Sequence, residues 1–114
     1  MTTKMKSAGG VTILKLRGRI FLGDGDEDLE KAMTCAFKEG HKQIVLDLTG
    51  VKAIDSPGLG TVMACCRKQA REKGVQVRLV IPRAHRLPLI IQTVLRVIFG
   101  VFDDELQAVA SFAS

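Results

Sequence analysis

The sequence predicts a single α/β domain in which a four- or five-stranded, mostly parallel sheet carries about four helices. Apolar runs of strand length alternate with longer stretches of helical periodicity, which is the pattern of parallel βαβ crossovers. The length of 114 residues fits one domain over positions 1–114. Hydrophobic residues make up 46% of the chain but aromatic residues only 4%, so the core must be largely aliphatic. Such a core suits helices packed on a sheet.

The N-terminal third predicts two strands and a helix. A strand is expected over residues 11–17, because apolar side chains alternate there and its second face turns from apolar to basic. Residues 1–6 are expected to add a short edge strand before the Gly9-Gly10 turn. The acidic run at 26–28 then opens a helix, since negative charge is favourable near a helix N-terminus. Gly40 is expected to cap its end.

The middle of the chain predicts a buried strand and a second helix. Residues 43–48 form an apolar run that suits a strand covered on both faces, and residues 49–54 are expected to form a loop. The second helix is expected to begin near Pro57. Its buried stripe follows helical spacing and consists of Leu59, Val62, Met63, Cys66 and Ala70.

The C-terminal third predicts a strand, a third helix, a final strand and a closing helix. The strand is expected over 75–81 and the third helix over 84–95, with Pro88 starting it or lying in its first turn. The final strand is expected within 97–102. Asp103 is expected to cap the closing helix.

The sequence gives no indication of secretion or membrane insertion. The first nine residues are polar and lack the apolar stretch of a signal peptide. The longest apolar region, residues 87–102, contains Gln92 and Arg96 and is shorter than the ~20 residues that a spanning helix needs. We therefore expect a cytoplasmic protein with no membrane partner.

The cysteines and histidines predict neither a metal site nor catalysis. Cys35, Cys65 and Cys66 are an odd number and lack a metal-ligand spacing, so we expect reduced and mostly packed thiols. His41 and His85 are isolated, with no carboxylate or nucleophile nearby in the sequence to complete a catalytic set. No enzyme activity, catalytic residue or cofactor is expected.

The positive charge permits weak attraction to polyanions but does not predict a nucleic-acid site. The net charge is +5 and the sequence pI is about 9.4. The densest basic cluster is Arg67, Lys68, Arg71 and Lys73, which lacks the aromatic residues that stack on bases. We interpret it as a solvated helix face. A basic nucleic-acid-binding domain remains an alternative that salt-sensitive binding to random duplex would identify.

Residues 55–60 are the candidate functional segment of the chain. Ser56 is predicted to be the N-cap of the second helix, and Pro57 suits its first helical position. Gly58 and Gly60 would leave room for a partner to approach Ser56. A capping role alone would explain Ser56. Each helical glycine costs roughly 1 kcal/mol relative to Ala, however, which favours an additional role.

Two runs carry a family resemblance. Residues 46–51, Leu-Asp-Leu-Thr-Gly-Val, followed by 54–60, Ile-Asp-Ser-Pro-Gly-Leu-Gly, resemble the signature of the STAS domain of bacterial anti-sigma factor antagonists. Residues 18–20 resemble the turn after the first long strand of that family, and residues 103–112 resemble its closing helix. The resemblance covers nearly the whole chain and implies a STAS-type fold.

The resemblance also implies a function. In that family, the Ser directly after the Asp is phosphorylated by a partner that is both anti-sigma factor and serine kinase, and this Ser corresponds to Ser56. The unphosphorylated protein would bind the kinase and free the sigma factor, and phosphorylation would abolish binding. A metal-dependent serine phosphatase is the second expected partner. The expected partner-binding residues are Asp24, Asp55, Ser56, Pro57, Gly58, Leu59 and Gly60.

The chain departs from the family pattern at three positions. Many relatives carry Ser, Thr or Ala in place of Pro57, and many carry Asp in place of Phe21. Asp24, in the same loop as Phe21, is expected to take over the role of that Asp. Pro88 is unusual within the third helix. A STAS module in another partner-switching circuit or in a lipid-transport complex, without sigma-factor output, remains the alternative function.

Overall fold

One five-stranded sheet, with its strands in chain order, organises the molecule. The computed structural model describes residues 1–113, and the side chains of all of these except residues 69, 72, 73 and 113. The strands are β1 (Thr2–Ala8), β2 (Val11–Ile20), β3 (Gln43–Ile54), β4 (Gln76–Val80) and β5 (Gly100–Phe102). Edge strand β1 runs antiparallel to β2, and every other neighbouring pair is parallel. The predicted α/β class and mostly parallel sheet are confirmed.

Helices connect the parallel strands and close the chain. They are α1 (Asp26–Lys38), α2 (Ser56–Lys73), α3 (Leu89–Ile98) and α4 (Glu105–Ala110), and a single 3-10 turn (Ser111–Ala113) follows. Buried side chains of α1, α2 and α3 share one core cluster with one face of the sheet. Ala108 of α4 belongs to a second, smaller cluster with Val11, Ile13, Val45 and Val80. The helices α1–α3 therefore cover one face of the sheet, and α4 covers part of the other.

The prediction of a loop over residues 49–54 was wrong, because these residues form the second half of β3. They pair with the end of β2, so that Gly50 lies opposite Arg17 and Ile54 lies opposite Ile20. The register shifts between Lys15 and Arg17, as in a β-bulge. At this irregularity the Asp47 carboxylate accepts hydrogen bonds from the Thr49 N–H at 2.9 Å and from the Thr49 hydroxyl at 2.5 Å.

The Asp47 carboxyl is buried and its pKa is lowered. Burial by itself raises the pKa, but the side-chain hydrogen bond with Glu105, the two bonds from Thr49 and the nearby Lys15 cation outweigh burial. Part of the family-like run in residues 46–51 thus has a structural role, because Asp47 satisfies backbone at an irregular point of the sheet.

The third helix begins later than expected, at Leu89, with Pro88 as its N-cap residue. A proline disfavours helical geometry in the residue before it, so the preceding residues form a turn instead. In that turn, the Leu87 N–H donates to Nδ1 of His85 at 3.1 Å, and Nε2 of His85 donates to the Leu48 carbonyl at 2.9 Å. His85 thereby satisfies a β3 carbonyl just beyond the point where β4 ends. Residues 97–98 extend α3, which shortens the final strand.

Two further assignments need correction. Asp104, and not Asp103, caps α4, because its side chain accepts from the Gln107 N–H at 2.8 Å. Ala70 of the predicted buried stripe is exposed, whereas Val62 and Cys66 are buried. The 18-residue α2 is about 27 Å long but the five-residue β4 only about 17 Å, so the last turns of α2 extend beyond the strand.

The three cysteines differ in how far they are exposed. Cys66 is buried and Cys65 is half-buried, so two of the three thiols are packed as expected, whereas Cys35 is exposed. Within residues 1–113, no helix combines the length and apolar character needed to cross a membrane.

Candidate functional site

The candidate site is the N-terminus of α2, where Ser56 is exposed. The prediction that Ser56 lies exposed at the start of the second helix is confirmed, but its assignment as the N-cap was wrong. Asp55 is the cap: its Oδ1 accepts from the Gly58 N–H at 2.6 Å, and its carbonyl accepts from the Leu59 N–H at 2.8 Å. Ser56 is the first residue of the helix. Its hydroxyl is therefore not needed to cap the N-terminus of α2.

Asp55 also ties the start of α2 to the end of β2. Its Oδ2 accepts from the Leu22 N–H at 3.2 Å, and its own N–H donates to the Ile20 carbonyl at 3.3 Å. One carboxylate therefore joins the loop after β2 to the first turn of α2. This shared anchor places the loop after β2 beside the start of α2, at the carboxyl end of the sheet.

Gly58 is a packing residue and not an open approach for a partner, which corrects the sequence interpretation. It is buried, and a Cβ at this position would overlap the Ile20 carbonyl oxygen. The same Cβ would lie 2.9 Å from Oδ1 of Asp55. Only glycine lets the first turn of α2 approach β2 this closely.

Gly60 behaves differently, although it lies only two residues further along α2. It is exposed, and a Cβ there would meet no atom within 4 Å in the described part of the chain. Its helical conformation does not require glycine, and Gly costs roughly 1 kcal/mol relative to Ala in a helix. No contact within the described chain requires glycine at this position.

Asp24 lies in the loop after β2. No hydrogen bond among the described residues connects its side chain to Ser56. Its Oδ2 accepts from Nε of Arg19 at 2.8 Å, and its backbone exchanges two hydrogen bonds with Phe21. The Arg19 guanidinium also lies 5.5 Å from the centre of the Phe21 ring. The structure therefore brings the Asp24 loop beside Asp55 but balances the Asp24 charge with Arg19.

The other expected partner-binding residues differ in exposure. Pro57 is exposed at the second helical position, where its missing N–H costs no intrahelical bond. Leu59 is half-buried and packs against the main core. Sequence reasoning missed Leu22, whose side chain is 70% exposed while its backbone is held by Asp55. A large apolar residue within a glycine- and aspartate-rich loop was the available signal.

The local charge at this site comes from the helix dipole and the Asp55 carboxylate. The first turn of α2 carries no acidic residue, so the positive end of the helix dipole is offset only by the capping Asp55. In residues 1–113, no group of three or more His, Cys, Asp or Glu side chains is arranged to hold a metal ion.

The comparison with protein families agrees with this architecture. The model of the STAS domain matches residues 2–108. The chain belongs to the STAS domain family. No curated protein matches the sequence significantly.

Solved structures with this fold include anti-sigma factor antagonists. A putative antagonist from Thermotoga maritima is 22% identical, with a TM-score of 0.81 over 98% of this chain and 95% of that chain. The antagonist SpoIIAA in its unphosphorylated form is 13% identical, with a TM-score of 0.70 over 98% and 97%. A sulfate transporter family protein from Wolinella succinogenes is 22% identical, with a TM-score of 0.67 over 91% and 85%. At these identities the likeness establishes a shared STAS fold.

Proposed function

We propose that this STAS domain is an anti-sigma factor antagonist of the cytoplasm that is switched by phosphorylation of Ser56. The unphosphorylated protein binds an anti-sigma factor that is also a serine kinase, and a metal-dependent serine phosphatase restores this form. The proposal rests on one observation above all: Ser56 is exposed at the start of α2 and plays no part in capping that helix. The similarity to anti-sigma factor antagonists supports the same role.

The capping geometry explains how phosphorylation would change binding without changing the fold. Asp55 satisfies the first turn of α2 and anchors Leu22, so modification of Ser56 removes neither interaction. A phosphate adds about −1.5 to −2 charges at neutral pH. A partner that covers Ser56 would have to desolvate this charge, which is costly unless the partner supplies cations. The adjacent Asp55 adds further negative charge. The switch therefore lies in surface charge.

The partner would contact the exposed residues of this face. Pro57 follows Ser56 directly and Gly60 lies about one turn further along α2. Asp24 lies in the loop after β2, which Asp55 holds beside the start of α2. Gly58 contributes indirectly, by allowing the close contact that positions the helix. In this function the chain works by binding and not by catalysis.

The test of the modification site is incubation with ATP and the cognate kinase, followed by intact mass measurement and peptide mapping. We expect one phosphoryl group, on Ser56, and none on a Ser56→Ala variant. Thr61→Ala is the matched control, since the Thr61 hydroxyl lies one turn further along and donates to the Pro57 carbonyl at 3.2 Å. This control should be phosphorylated like the wild type. Modification of Thr61, or none in the wild type, would contradict the proposal.

The alternative is a STAS interaction module without sigma-factor output. The similar structure of a sulfate transporter family protein supports this second candidate, because its name does not describe it as an anti-sigma factor antagonist. The two functions differ in how binding depends on charge at position 56. A module without the switch would bind its partner equally well as wild type and as Ser56→Asp.

A further inference from the structure

The outward side of α3 is apolar, and nothing in the described part of the chain covers it. Seven of its ten residues are Leu, Ile or Val, a composition typical of a helix that is buried on all sides. Leu89, Ile90 and Val97 are nevertheless 79%, 72% and 81% exposed. The helical repeat places these three side chains within about 100° of one another around the helix axis. We call them the α3 stripe.

The start of α3 has its polar residue inside and its apolar residues outside. Gln92 is buried, and its Nε2 donates to the carbonyls of His85 at 3.0 Å and Leu87 at 2.8 Å. Residues 88–90, Pro-Leu-Ile, form an exposed apolar run. Such a run, continued along the same side of the helix by Val97, indicates a contact surface. Because α3 leads into the edge strand β5, it is the last helix of the α1–α3 layer.

The segment that contains α3 supplies all of the net positive charge of the chain. Residues 56–102 contain eight Lys or Arg and a single acidic residue, whereas the rest of the chain contains nine Lys or Arg and eleven Asp or Glu. No Asp or Glu occurs within residues 73–102. Such an asymmetry of charge along a chain favours an anionic partner.

Two unpaired cations border the α3 stripe. Arg86 lies three residues before its first member, and Arg96 directly precedes Val97, and both arginines are exposed. Among the described side chains, no carboxylate lies within ion-pair distance of either guanidinium. Arg83, in the turn before α3, is instead paired with Asp103 at 3.1 Å and adds little net charge. The apolar surface of α3 therefore has uncompensated positive charge beside it.

An anionic lipid bilayer matches both properties of this surface. Its phosphate headgroups complement Arg86 and Arg96, and the acyl chains beneath them accommodate aliphatic side chains. A second copy of the chain fits less well, because two-fold pairing of α3 would bring the same cations together without a carboxylate from residues 73–102 between them. A nucleic acid would pair with the cations but would bury the α3 stripe against phosphates and sugars. The combination of aliphatic side chains and unpaired arginines therefore favours a lipid surface.

We propose that α3 docks the protein on the surface of an anionic lipid bilayer. The helix lies parallel to the surface, the α3 stripe enters the boundary between headgroups and acyl chains, and Arg86 and Arg96 pair with lipid phosphates. Three aliphatic side chains and two cations make a weak, reversible contact. The expectation of no membrane partner rested on the absence of a spanning segment, and this contact needs none. Docking does not depend on the proposed switch at Ser56, which lies on α2.

The test is co-sedimentation with vesicles of phosphatidylglycerol and phosphatidylcholine in equal parts, with pure phosphatidylcholine vesicles as the neutral comparison. We expect the wild type to bind the anionic vesicles at least about tenfold more tightly than the neutral ones. Leu89→Gln and Val97→Gln, at the two ends of the α3 stripe, should each weaken this binding about fivefold. Arg86→Gln should weaken it about threefold.

The matched control is Leu106→Gln. Leu106 is 80% exposed, nearly the same as Leu89, but it belongs to α4 on the other face of the sheet. This control should change vesicle binding less than about twofold, because it leaves the α3 stripe intact. Circular dichroism establishes that each variant folds.

Four results would overturn the proposal. Absence of wild-type binding to the anionic vesicles, or equal binding to both kinds of vesicle, would remove an anionic lipid surface as the partner. Equal weakening by Leu89→Gln and Leu106→Gln would mean that the protein adsorbs without using α3. Without vesicle binding, a dimer that Leu89→Gln dissociates in sedimentation velocity would assign the α3 stripe to a second copy of the chain. Without vesicle binding, a weaker complex of Leu89→Gln with the cognate kinase would assign it to that protein.

Discussion

Alanine substitutions at Gly58 and Gly60 should have opposite effects on stability, although both glycines lie in the first two turns of α2. At Gly60, a Cβ meets nothing within 4 Å. The Gly60→Ala variant should therefore gain the helix-propensity difference of roughly 1 kcal/mol. At Gly58, the Cβ would overlap the Ile20 carbonyl oxygen, which is backbone and cannot rotate away.

The magnitude for Gly58→Ala follows from the same contacts. Overpacking against backbone costs about 3 kcal/mol, the upper end of the usual range. Displacement of the Asp55 cap costs about 1 kcal/mol more, and helix propensity returns about 1 kcal/mol. The net loss is about 3 kcal/mol, which lowers Tm by roughly 10 °C or more in a domain of this size.

Thermal and urea unfolding, followed by circular dichroism, measure both variants against the wild type. If Gly58→Ala were as stable as the wild type, the close contact between α2 and the end of β2 would be incorrect. Gly60→Ala has a functional readout as well. It should weaken binding of the cognate kinase despite its higher stability, and unchanged binding would place Gly60 outside the interface.

Three further predictions follow from individual contacts. In urea unfolding, Asp55→Ala should lower the free energy of unfolding by about 1–2 kcal/mol, because it removes the cap of α2. Ser56→Ala should change it by less than about 0.5 kcal/mol. A larger loss for Ser56→Ala than for Asp55→Ala would identify Ser56 as the cap. The lowered pKa of Asp47 means that its ionised form stabilises the fold above about pH 4 and that this contribution is lost as pH falls through the lowered pKa. Asp47→Asn should therefore destabilise the protein more at about pH 7 than at about pH 2, and an equal loss at both would contradict this. Burial, with a smaller contribution from a nearby carboxylate, raises the pKa of the Cys65 thiol to about 11. Iodoacetamide at neutral pH should therefore alkylate the exposed Cys35 before Cys65, as peptide mass mapping would show.

The order of strands and helices was predictable because each element carries its own local pattern. Apolar alternation indicated β2, and the acidic run at 26–28 marked the start of α1. The second half of β3 was not predictable in the same way. Thr49 and Gly50 are typical of loops, and only pairing with the distant end of β2 makes residues 49–54 a strand.

The position of the candidate site was predictable, but its internal geometry was not. A Ser followed by Pro and Gly indicated a helix start, and Ser56 does begin α2. Asp and Ser cap helices about equally well, so the local sequence could not decide between Asp55 and Ser56. The choice depends on the end of β2 and the loop after it, since Asp55 forms hydrogen bonds with the backbone of both Ile20 and Leu22. The same long-range contact explains Gly58, which local sequence had indicated as an opening for a partner.

In the proposed switch, phosphate on Ser56 controls partner binding through surface charge alone. The most direct measurement is the Kd of the cognate anti-sigma factor kinase for the unmodified protein and for the protein phosphorylated at Ser56, by calorimetry. Because desolvating an unpaired phosphate costs several kcal/mol, and each 1.4 kcal/mol is a factor of ten, we expect at least about 100-fold weaker binding. The circular dichroism spectrum and Tm should stay close to those of the unmodified protein. Equal Kd values for the two forms, or loss of binding only together with unfolding, would contradict control of binding by charge at Ser56.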